Sequence, residues 1–315
     1  MELEVRIKAE AKRLGFDLVG IAKPAYSPVD HDRLLNWLAD GYQAEMSYMA
    51  RSPRRRSDPR LFLEDVKSII IVGISYYQEP NYESDRPYIS IYARGKPYQD
   101  VIREKLTSLL DFIKSPVPDV RGKIAVDTSP TFDKLWAQKA GLGWRGKNTL
   151  LLNRKLGSFI FLGELFINID LEPDKAESDH CADCYACVDA CPTGALTAPY
   201  RLNAEKCISY LTIEANSELE NPYITGNHIY GCDLCQLVCP YNKSLPATRA
   251  EEFGRHIDSP STEGEWLGLT EADFKNRYSG TILDDFGFIR FEKNVKLALL
   301  NIEQDKMDYK IPENT

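Results

Sequence analysis

Eight cysteines in the second half of the chain have the type and spacing to do chemistry. The segment HCADCYACVDACPTGAL holds Cys181, Cys184, Cys187 and Cys191, and a proline follows the last of them. Four more lie downstream, the last three in GCDLCQLVCP: Cys207, Cys232, Cys235 and Cys239. The first run matches the C-x2-C-x2-C-x3-C-P pattern that binds iron–sulfur clusters in bacterial ferredoxins. The cysteines therefore predict two [4Fe–4S] clusters.

The ligand assignment depends on how such a loop folds. Gaps of two residues let three thiolates of one tight loop reach three corners of a cube, and the fourth cysteine points to the other cluster. Cys207 replaces the usual first cysteine of the second run. We therefore predict two cluster sites, each held by a set of four cysteines. The first cysteine set is Cys181, Cys184, Cys187 and Cys239, and the second cysteine set is Cys191, Cys207, Cys232 and Cys235.

A zinc site is the alternative for these cysteines. Two pairs, Cys181 with Cys184 and Cys232 with Cys235, would satisfy a tetrahedral all-thiolate ion. Zinc requires neither the other four cysteines nor the two Cys-Pro ends, so the spacing favours clusters. A region with two clusters mostly moves electrons, and the rest of the chain must then hold the group that accepts them.

Composition and charge limit the class of protein. The chain has 315 residues, 43% of them hydrophobic, which is enough for a core and for about two domains. Its charged, amphipathic start is neither a secretory signal nor a twin-arginine leader, and no window reaches the ~20 apolar residues of a membrane span. We therefore expect a cytoplasmic protein. The net charge of −8 divides into +6 for residues 1–160 and −14 for residues 161–315, so the first half can meet a polyanion.

Hydrophobic periodicity predicts helices alternating with strands up to about residue 170, which indicates an α/β (or α+β) fold. After Asp170 the segments become short, polar and rich in cysteine, so we expect three regions: 1–170, a ferredoxin-like domain at 171–256, and a C-terminal segment at 257–315. The predicted helices are 3–14, one through Val101–Ile113, and one from Ser129-Pro130 to about Gly141. The predicted strands are 68–77, 123–127, 148–153 and 158–170.

The glycines of GLGWRGKN (141–148) match a dinucleotide fingerprint and nearly match a phosphate-binding loop. Both motifs need a strand before the glycines and a helix after them, whereas here a helix precedes and a strand follows. We therefore predict that Gly141 caps a helix and that Gly143 and Gly146 permit a tight turn. Such a turn could also let the backbone approach a large flat cofactor.

Seven stretches of the chain form one combined pattern: YARG (92–95), VDTSP (126–130), AGLGWRGKNTLLL (140–152), GSFIFLGEL (157–165), CPTGAL (191–196), CISYLTIE (207–214) and GCDLCQLVCPYN (231–242). Taken together they resemble the epoxyqueuosine reductases, over roughly residues 1–300. The resemblance implies a cobalamin-dependent oxidoreductase that completes queuosine at the wobble position of tRNA. It also implies an N-terminal domain similar to cobalamin-binding, flavin-reductase-like domains, followed by a ferredoxin-like domain.

By this resemblance Asp127, at the end of KIAVD, is the proton donor. Reducing the epoxide takes two electrons and two protons and releases water, so clusters would supply single electrons to cobalamin and an acid would protonate the oxygen. A carboxylic acid donates at neutral pH only if burial raises its pKa. Without the resemblance, DTSP is ordinary helix-initiating sequence, and Asp127 would be a turn residue.

The resemblance also implies cobalamin contacts. Arg51, Ser90, Ser209 and Asp233 lie in or near the matching motifs, and Asp127 is expected to contact the cofactor as well as to donate the proton. Lys147 and Asn148 could reach the polar rim of the cofactor. A solvated lysine is the alternative for Lys147. Tyr48 could stack a base. A run of arginines is expected to meet tRNA phosphates, although such runs are often merely solvated: Arg51, Arg54, Arg55, Arg56 and Arg60.

Two departures from the family pattern stand out. Family members follow YARG, one residue on, with Asp-Tyr-His, but this chain reads Lys96-Pro97-Tyr98-Gln99. The C-terminal helical-repeat extension of many members is expected to be absent or truncated. We expect a monomer served by an unidentified electron donor. The alternatives are another corrinoid and iron–sulfur reductase, of the reductive dehalogenase kind, and a non-catalytic electron carrier.

Overall fold

The computed structural model describes residues 2–217, 221–254, 257 and 260–304; the end of the predicted C-terminal segment, 305–315, lies outside them. Its helices are α1 (Leu3–Arg13), α2 (Pro28–Ala39), α3 (Pro53–Ser57), α4 (Tyr98–Lys114), α5 (Asp133–Lys139), α6 (Ala186–Asp189), α7 (Ile208–Ile213), α8 (Leu234–Leu237), α9 (Glu263–Leu267), α10 (Glu271–Tyr278), α11 (Ile282–Phe286) and α12 (Phe288–Glu303). Its strands are β1 (Leu18–Ala22), β2 (Ser68–Ser75), β3 (Tyr88–Ile89), β4 (Gly122–Ala125), β5 (Trp144–Arg145), β6 (Leu151–Leu152), β7 (Ile160–Ile167), β8 (Leu196–Ala198), β9 (Arg201–Leu202) and β10 (His228–Tyr230).

A four-stranded sheet in the order β1-β2-β7-β4 organises the first half of the chain. Its three pairings are all antiparallel, so this region is α+β, not the parallel sheet that alternating helices and strands suggest. Helices α1 and α4 pack on one face and α5 on the other. Because both faces are covered, β2 is buried along its whole length and reads as a continuous apolar run.

The predicted helices and strands agree best with the structure where the hydrophobic pattern extends over many residues. Helix α1 ends before Gly15, which takes φ +93°, and α4, β2 and β7 lie at their predicted places. The helix predicted from Ser129-Pro130 is wrong at its start, because α5 begins only at Asp133. Proline disfavours helical backbone in the residue before it, and residues 127–132 instead form a loop. The strand predicted at 148–153 shrinks to the two residues of β6.

The glycine-rich turn is structural, as predicted. Gly141 takes φ +74° after α5, and the chain then enters β5, which pairs with β6. A side chain on Gly143 would collide with the carbonyl oxygen of Leu152. The turn therefore joins a helix to a short hairpin, and a phosphate-binding loop requires the reverse order.

The cysteine-bearing region is tied to the first half by a short parallel pairing of β3 with β10. Helices α6 and α8, which carry Cys187 and Cys235, pack against each other. The C-terminal helices cover β3 and β10 with a separate core that includes Ile89, Ile229, Trp266 and Phe291. Among the described helices, none has the length and apolarity to cross a membrane.

Candidate active site

The four thiols of the first cysteine set lie close enough to influence one another's pKa. Burial raises the pKa of the Cys239 thiol to about 11, and the other three thiols of the set lie close enough to add to this rise. The pKa of Cys187 is also raised, mainly by burial, and the nearby thiols of Cys181 and Cys184 add to the rise. Cys184 is the exposed member, whereas Cys181 and Cys239 are buried against Trp144.

The second cysteine set gathers separately. Burial is the main cause of the raised pKa of Cys232, and the nearby thiols of Cys207 and Cys191 add to this rise. The raised pKa of Cys235 has the same main cause, and Cys187 of the first cysteine set also contributes to it. The two sets are therefore neighbours. Across the described ranges, no three cysteine, histidine, aspartate or glutamate side chains converge on the position of one ion.

A largely apolar cavity of about 260 Å³ adjoins the second cysteine set, and all four of its cysteines line the wall. Tyr76 and Tyr92 form part of the opposite wall, and none of the first cysteine set reaches it. Pockets for drug-sized ligands measure about 300–1,000 Å³, so this cavity would enclose only part of a corrinoid.

Four of the predicted cobalamin contacts line this cavity: Ser90, Asn148, Ser209 and Asp233. Asn148 is 4% exposed, and its amide Nδ2 has no hydrogen-bond partner among the described residues. A buried donor without a partner costs about 1–3 kcal/mol, and an acceptor on a bound cofactor would recover that cost. These residues therefore fit a large cofactor with polar groups at its rim.

The buried carboxylate of Asp233 is fully hydrogen-bonded to other residues of the protein. Its carboxylate accepts hydrogen bonds from four donors: Tyr88 Oη (2.9 Å), Ser90 Oγ (2.6 Å), the Ile91 amide (2.8 Å) and Gln236 Nε2 (3.0 Å). These donors belong to β3, to the segment after it and to α8. Asp233 thus holds the cavity wall together across the two halves of the chain.

The remaining three predicted contacts, Lys147, Arg51 and Asp127, are not among the residues that line the cavity. Lys147 is buried, and its ammonium donates to the Ala182 carbonyl oxygen (2.6 Å) and lies 3.9 Å from the centre of the Tyr185 ring. It therefore anchors the loop of the first cysteine set. Arg51 is exposed after a short 3₁₀ turn at Ser47–Ala50.

Asp127 lies just beyond β4 and is exposed, so the burial expected for a proton donor is not found in this structure. Its φ of +54° is in the left-handed region, which aspartate tolerates better than most residues. Gln99 Nε2 donates to its Oδ2 over a long 3.4 Å. Gln99 is the position for which the resemblance implies a histidine, and here an amide lies beside Asp127.

Three aromatic rings connect Asp127 to the cavity. Burial is the main cause of the raised pKa of Tyr98, and the Asp127 carboxylate is close enough to add to this rise. The Tyr98 ring stacks on Phe161 with centroids 4.1 Å apart, and Phe161 stacks on Tyr76 at 4.2 Å. Tyr76 lines the cavity. The predicted proton donor therefore lies at the outer end of a stack whose inner end faces the second cysteine set.

Glu164 is a residue that the motif analysis missed. It lies on β7 opposite Ala125 of β4, is 1% exposed, and its Oε1 has no hydrogen-bond partner among the described residues. Its Oε2 accepts from Thr131 Oγ1 (2.6 Å), in the loop that carries Asp127. Burial raises the pKa of Glu164 to about 8. A lone acid in the apolar run SFIFLGELFI was the available signal.

The arginine run lies near Asp127. Arg56 donates to the Tyr48 carbonyl oxygen (3.3 Å), and the Asp127 carboxylate adds to the rise in the pKa of Tyr48 that burial chiefly causes. Arg60 is paired with Asp58 through two bonds of 2.8 Å, whereas Arg51 and Arg54 are exposed. The basic residues and Tyr48 thus share one side of the site with Asp127.

Comparison with known proteins decides what this arrangement belongs to. A family model for the 4Fe-4S double cluster binding domain matches residues 180–242, which favours clusters over zinc. A second, described as epoxyqueuosine reductase QueG, DUF1730, matches residues 56–128. An epoxyqueuosine reductase of Leadbetterella byssophila is 39% identical over 92% of this chain and 96% of its own length. This chain belongs to the epoxyqueuosine reductase family.

Other epoxyqueuosine reductases agree. The Escherichia coli relative is 35% identical over 97% of this chain and 83% of its own. A crystal structure of an epoxyqueuosine reductase with an epoxyqueuosine-modified tRNA-Tyr stem loop superposes with a TM-score of 0.86 at 33% identity, covering 96% of this chain and 82% of the other. A Bacillus subtilis epoxyqueuosine reductase, whose catalytic aspartate loop is swung out of the active site, gives 0.81 at 31%, with the same coverage.

Proposed function

We propose that this oxidoreductase reduces the epoxide of epoxyqueuosine in tRNA to give queuosine. The observation that carries the proposal is membership of the epoxyqueuosine reductase family over nearly the whole chain. The geometry supports it, because the second cysteine set, the cavity and Asp127 follow one another across the site. A tRNA substrate also implies that the enzyme works in the cytoplasm.

The cofactors we propose are two [4Fe–4S] clusters and cobalamin. The first cysteine set would hold one cluster and the second cysteine set the other, each delivering single electrons. Ser90, Asn148 and Ser209 would hold cobalamin at the cavity, and Asp233 would fix Ser90 in place. When bound, cobalamin supplies a cobalt centre that can gather electrons for the epoxide. Lys147 would support the first cluster loop, and a contact from Arg51 stays a prediction.

We propose that Asp127 protonates the departing epoxide oxygen. Opening the epoxide and releasing that oxygen as water consumes two electrons and two protons. Asp127 is exposed here, so a bound tRNA would have to cover it to provide the buried setting in which a carboxylic acid donates a proton. A swung-out catalytic loop in the Bacillus subtilis relative supports a loop that moves. The neighbouring Tyr98 and Gln99 would orient the carboxyl group.

The tRNA would approach over the arginine run. Arg51 and Arg54 are exposed on the side of the site that holds Tyr48 and Asp127, where phosphates of a stem loop could lie. Tyr48, 42% exposed, offers a ring for stacking an extruded base. The tRNA stem loop bound to the structural relative supports this partner.

The domain boundaries also stay proposals. We propose a cobalamin-binding catalytic domain at 1–170, a ferredoxin-like domain at 171–256 and a C-terminal segment at 257–315, acting as a monomer. The antiparallel sheet belongs to the first and the cysteine loops to the second. Likeness of the first domain to flavin-reductase-like domains remains a prediction of the resemblance.

The decisive experiment is turnover on tRNA carrying epoxyqueuosine. The protein is reconstituted anaerobically with iron, sulfide and cobalamin, supplied with a strong reductant, and the nucleosides are read by mass spectrometry. We expect the modified base to lose the mass of one oxygen only when cobalamin is present. No conversion, with clusters and corrinoid verified by absorbance, would refute the function and favour a non-catalytic electron carrier or another corrinoid reductase.

A further inference from the structure

A cleft of about 450 Å³ adjoins the first cysteine set, away from the cavity described above. Trp144 lines the cleft and also packs on Cys181 and Cys239, so a single buried indole separates the cleft from these thiols. Cys184 of the same set is exposed, whereas no cysteine of the second set is. The first cysteine set is thus the one that an external protein can approach.

Cations line the outer rim of this cleft. Arg154, Lys155 and Arg249 are exposed, and neither Lys155 nor Arg249 makes an ion pair within the described part of the chain. The two acids of the lining are engaged inside the protein. Asp17 accepts from the Ser75 amide (2.8 Å), and Glu177 bonds the His180 ring (2.6 Å). The rim therefore presents positive charge on a protein whose net charge is −8.

We propose that an acidic one-electron carrier protein docks at this cleft and reduces the cluster of the first cysteine set past Trp144. The inference rests on the proposed function, which needs two electrons for each epoxide. In each encounter the carrier loses one electron and the cluster gains one, so two encounters serve one turnover. Opposite charges at the rim would speed the encounter and orient the carrier.

The cleft is distinct from the side proposed for tRNA. Asp17 directly precedes β1, at one edge of the sheet, whereas Asp127 follows β4 at the other edge. Three strand spacings of about 4.8 Å separate these edges, on the order of 14 Å. The cleft and the side proposed for tRNA therefore lie at opposite edges of the sheet.

The test uses the chain reconstituted with clusters and without cobalamin. Reduction of the clusters by a reduced flavodoxin is followed by stopped-flow absorbance for the wild type and for the double variant Lys155→Glu/Arg249→Glu. The matched control is Lys67→Glu/Arg103→Glu, which changes net charge equally at exposed positions outside the cleft. Dithionite, a small reductant that needs no docking surface, reports whether the clusters themselves are intact.

We expect the cleft variant to react with flavodoxin about tenfold more slowly than the control at about 50 mM salt, and the difference to shrink at about 500 mM. Both variants should react equally with dithionite. Equal flavodoxin rates would overturn the docking site, and so would a loss of tRNA affinity confined to the cleft variant. A wild type that assembles no clusters would instead refute the proposed function itself.

Discussion

Asp127 combines, within one residue, a left-handed backbone, an exposed carboxyl group and a nearby phenol. Asparagine tolerates the left-handed region as well as aspartate does, so Asp127→Asn removes the acid without straining the loop. We predict that turnover falls by about 10²–10⁴-fold, the usual contribution of a general acid. The measurement is nucleoside mass spectrometry after single-turnover reaction.

The matched control is Asp133→Asn, at the other end of the same loop, where the carboxylate accepts from the Lys134 amide (2.8 Å) and lies 3.8 Å from the Lys134 ammonium. It should keep most of its activity. Cluster and corrinoid absorbance should be unchanged in both variants. Wild-type turnover by Asp127→Asn would remove Asp127 from the mechanism.

Glu164 leads to a prediction about pH. Burial raises its pKa from 4.5 to about 8, so the folded protein keeps this proton while the unfolded chain loses it. The protonated side chain contributes its full stabilisation to the folded protein below about pH 4.5. As the pH rises toward 8, this contribution to the free energy of unfolding is lost, by up to about 4 kcal/mol. We therefore predict that Glu164→Gln gains stability relative to the wild type between pH 5 and pH 8.

Urea unfolding at a series of pH values measures this difference. An exposed acid on α4, Glu104, supplies the control, because Glu104→Gln should follow the wild-type pH dependence. Parallel curves for Glu164→Gln and the wild type would show that Glu164 is ionised in the folded protein. The hydroxyl of Thr131, which donates to Glu164 Oε2 (2.6 Å), would then stabilise the ionised carboxylate.

Among the elements, β3, the segment after it and α8 meet at the carboxylate of Asp233. Replacing it by alanine leaves several buried donors without an acceptor, each costing about 1–3 kcal/mol. We predict that Asp233→Ala lowers the melting temperature and the iron content, because Cys232 and Cys235 flank this carboxylate. Asp183→Ala, an exposed change in the other cysteine loop, should alter neither. Full iron content in Asp233→Ala would contradict the prediction.

Long apolar elements such as α4, β2 and β7 could be predicted because the pattern of apolar residues along each of them shows which positions are buried. The antiparallel order of the sheet could not, since strands covered on both faces look alike in parallel and antiparallel sheets. The late start of α5 depends on the loop that Thr131 ties to Glu164, a contact between residues 33 apart. Cysteine spacing predicted the two sets, but the cavity beside one of them depends on Tyr76 and Asn148, far away in the chain.

For the molecule as a whole, charge distribution predicts how tRNA binding responds to salt. Arg51 is exposed and makes no ion pair within the described residues, so it is free to neutralise a phosphate. We predict that Arg51→Ala weakens tRNA binding and reduces the slope of log affinity against log salt by about one. Binding titrations at several salt concentrations measure that slope.

Arg60 provides the comparison from the same run. Its guanidinium already pairs with Asp58 through two bonds of 2.8 Å, so Arg60→Ala should change the slope less. If Arg51→Ala leaves the slope at its wild-type value, the phosphates bind elsewhere. The net charge of −8 makes such local tests necessary, because it conceals the positive first half of the chain.

The crossing of the two cysteine loops has a consequence for how the protein is made. In the proposed assignment the first cluster takes Cys239 and the second takes Cys235, so each set would be completed only near the end of the cysteine-bearing region. A nascent chain on the ribosome that stops short of these residues would close neither set. Iron loading would therefore wait for most of the polypeptide to emerge, and both clusters would become available to the cell's assembly machinery almost together.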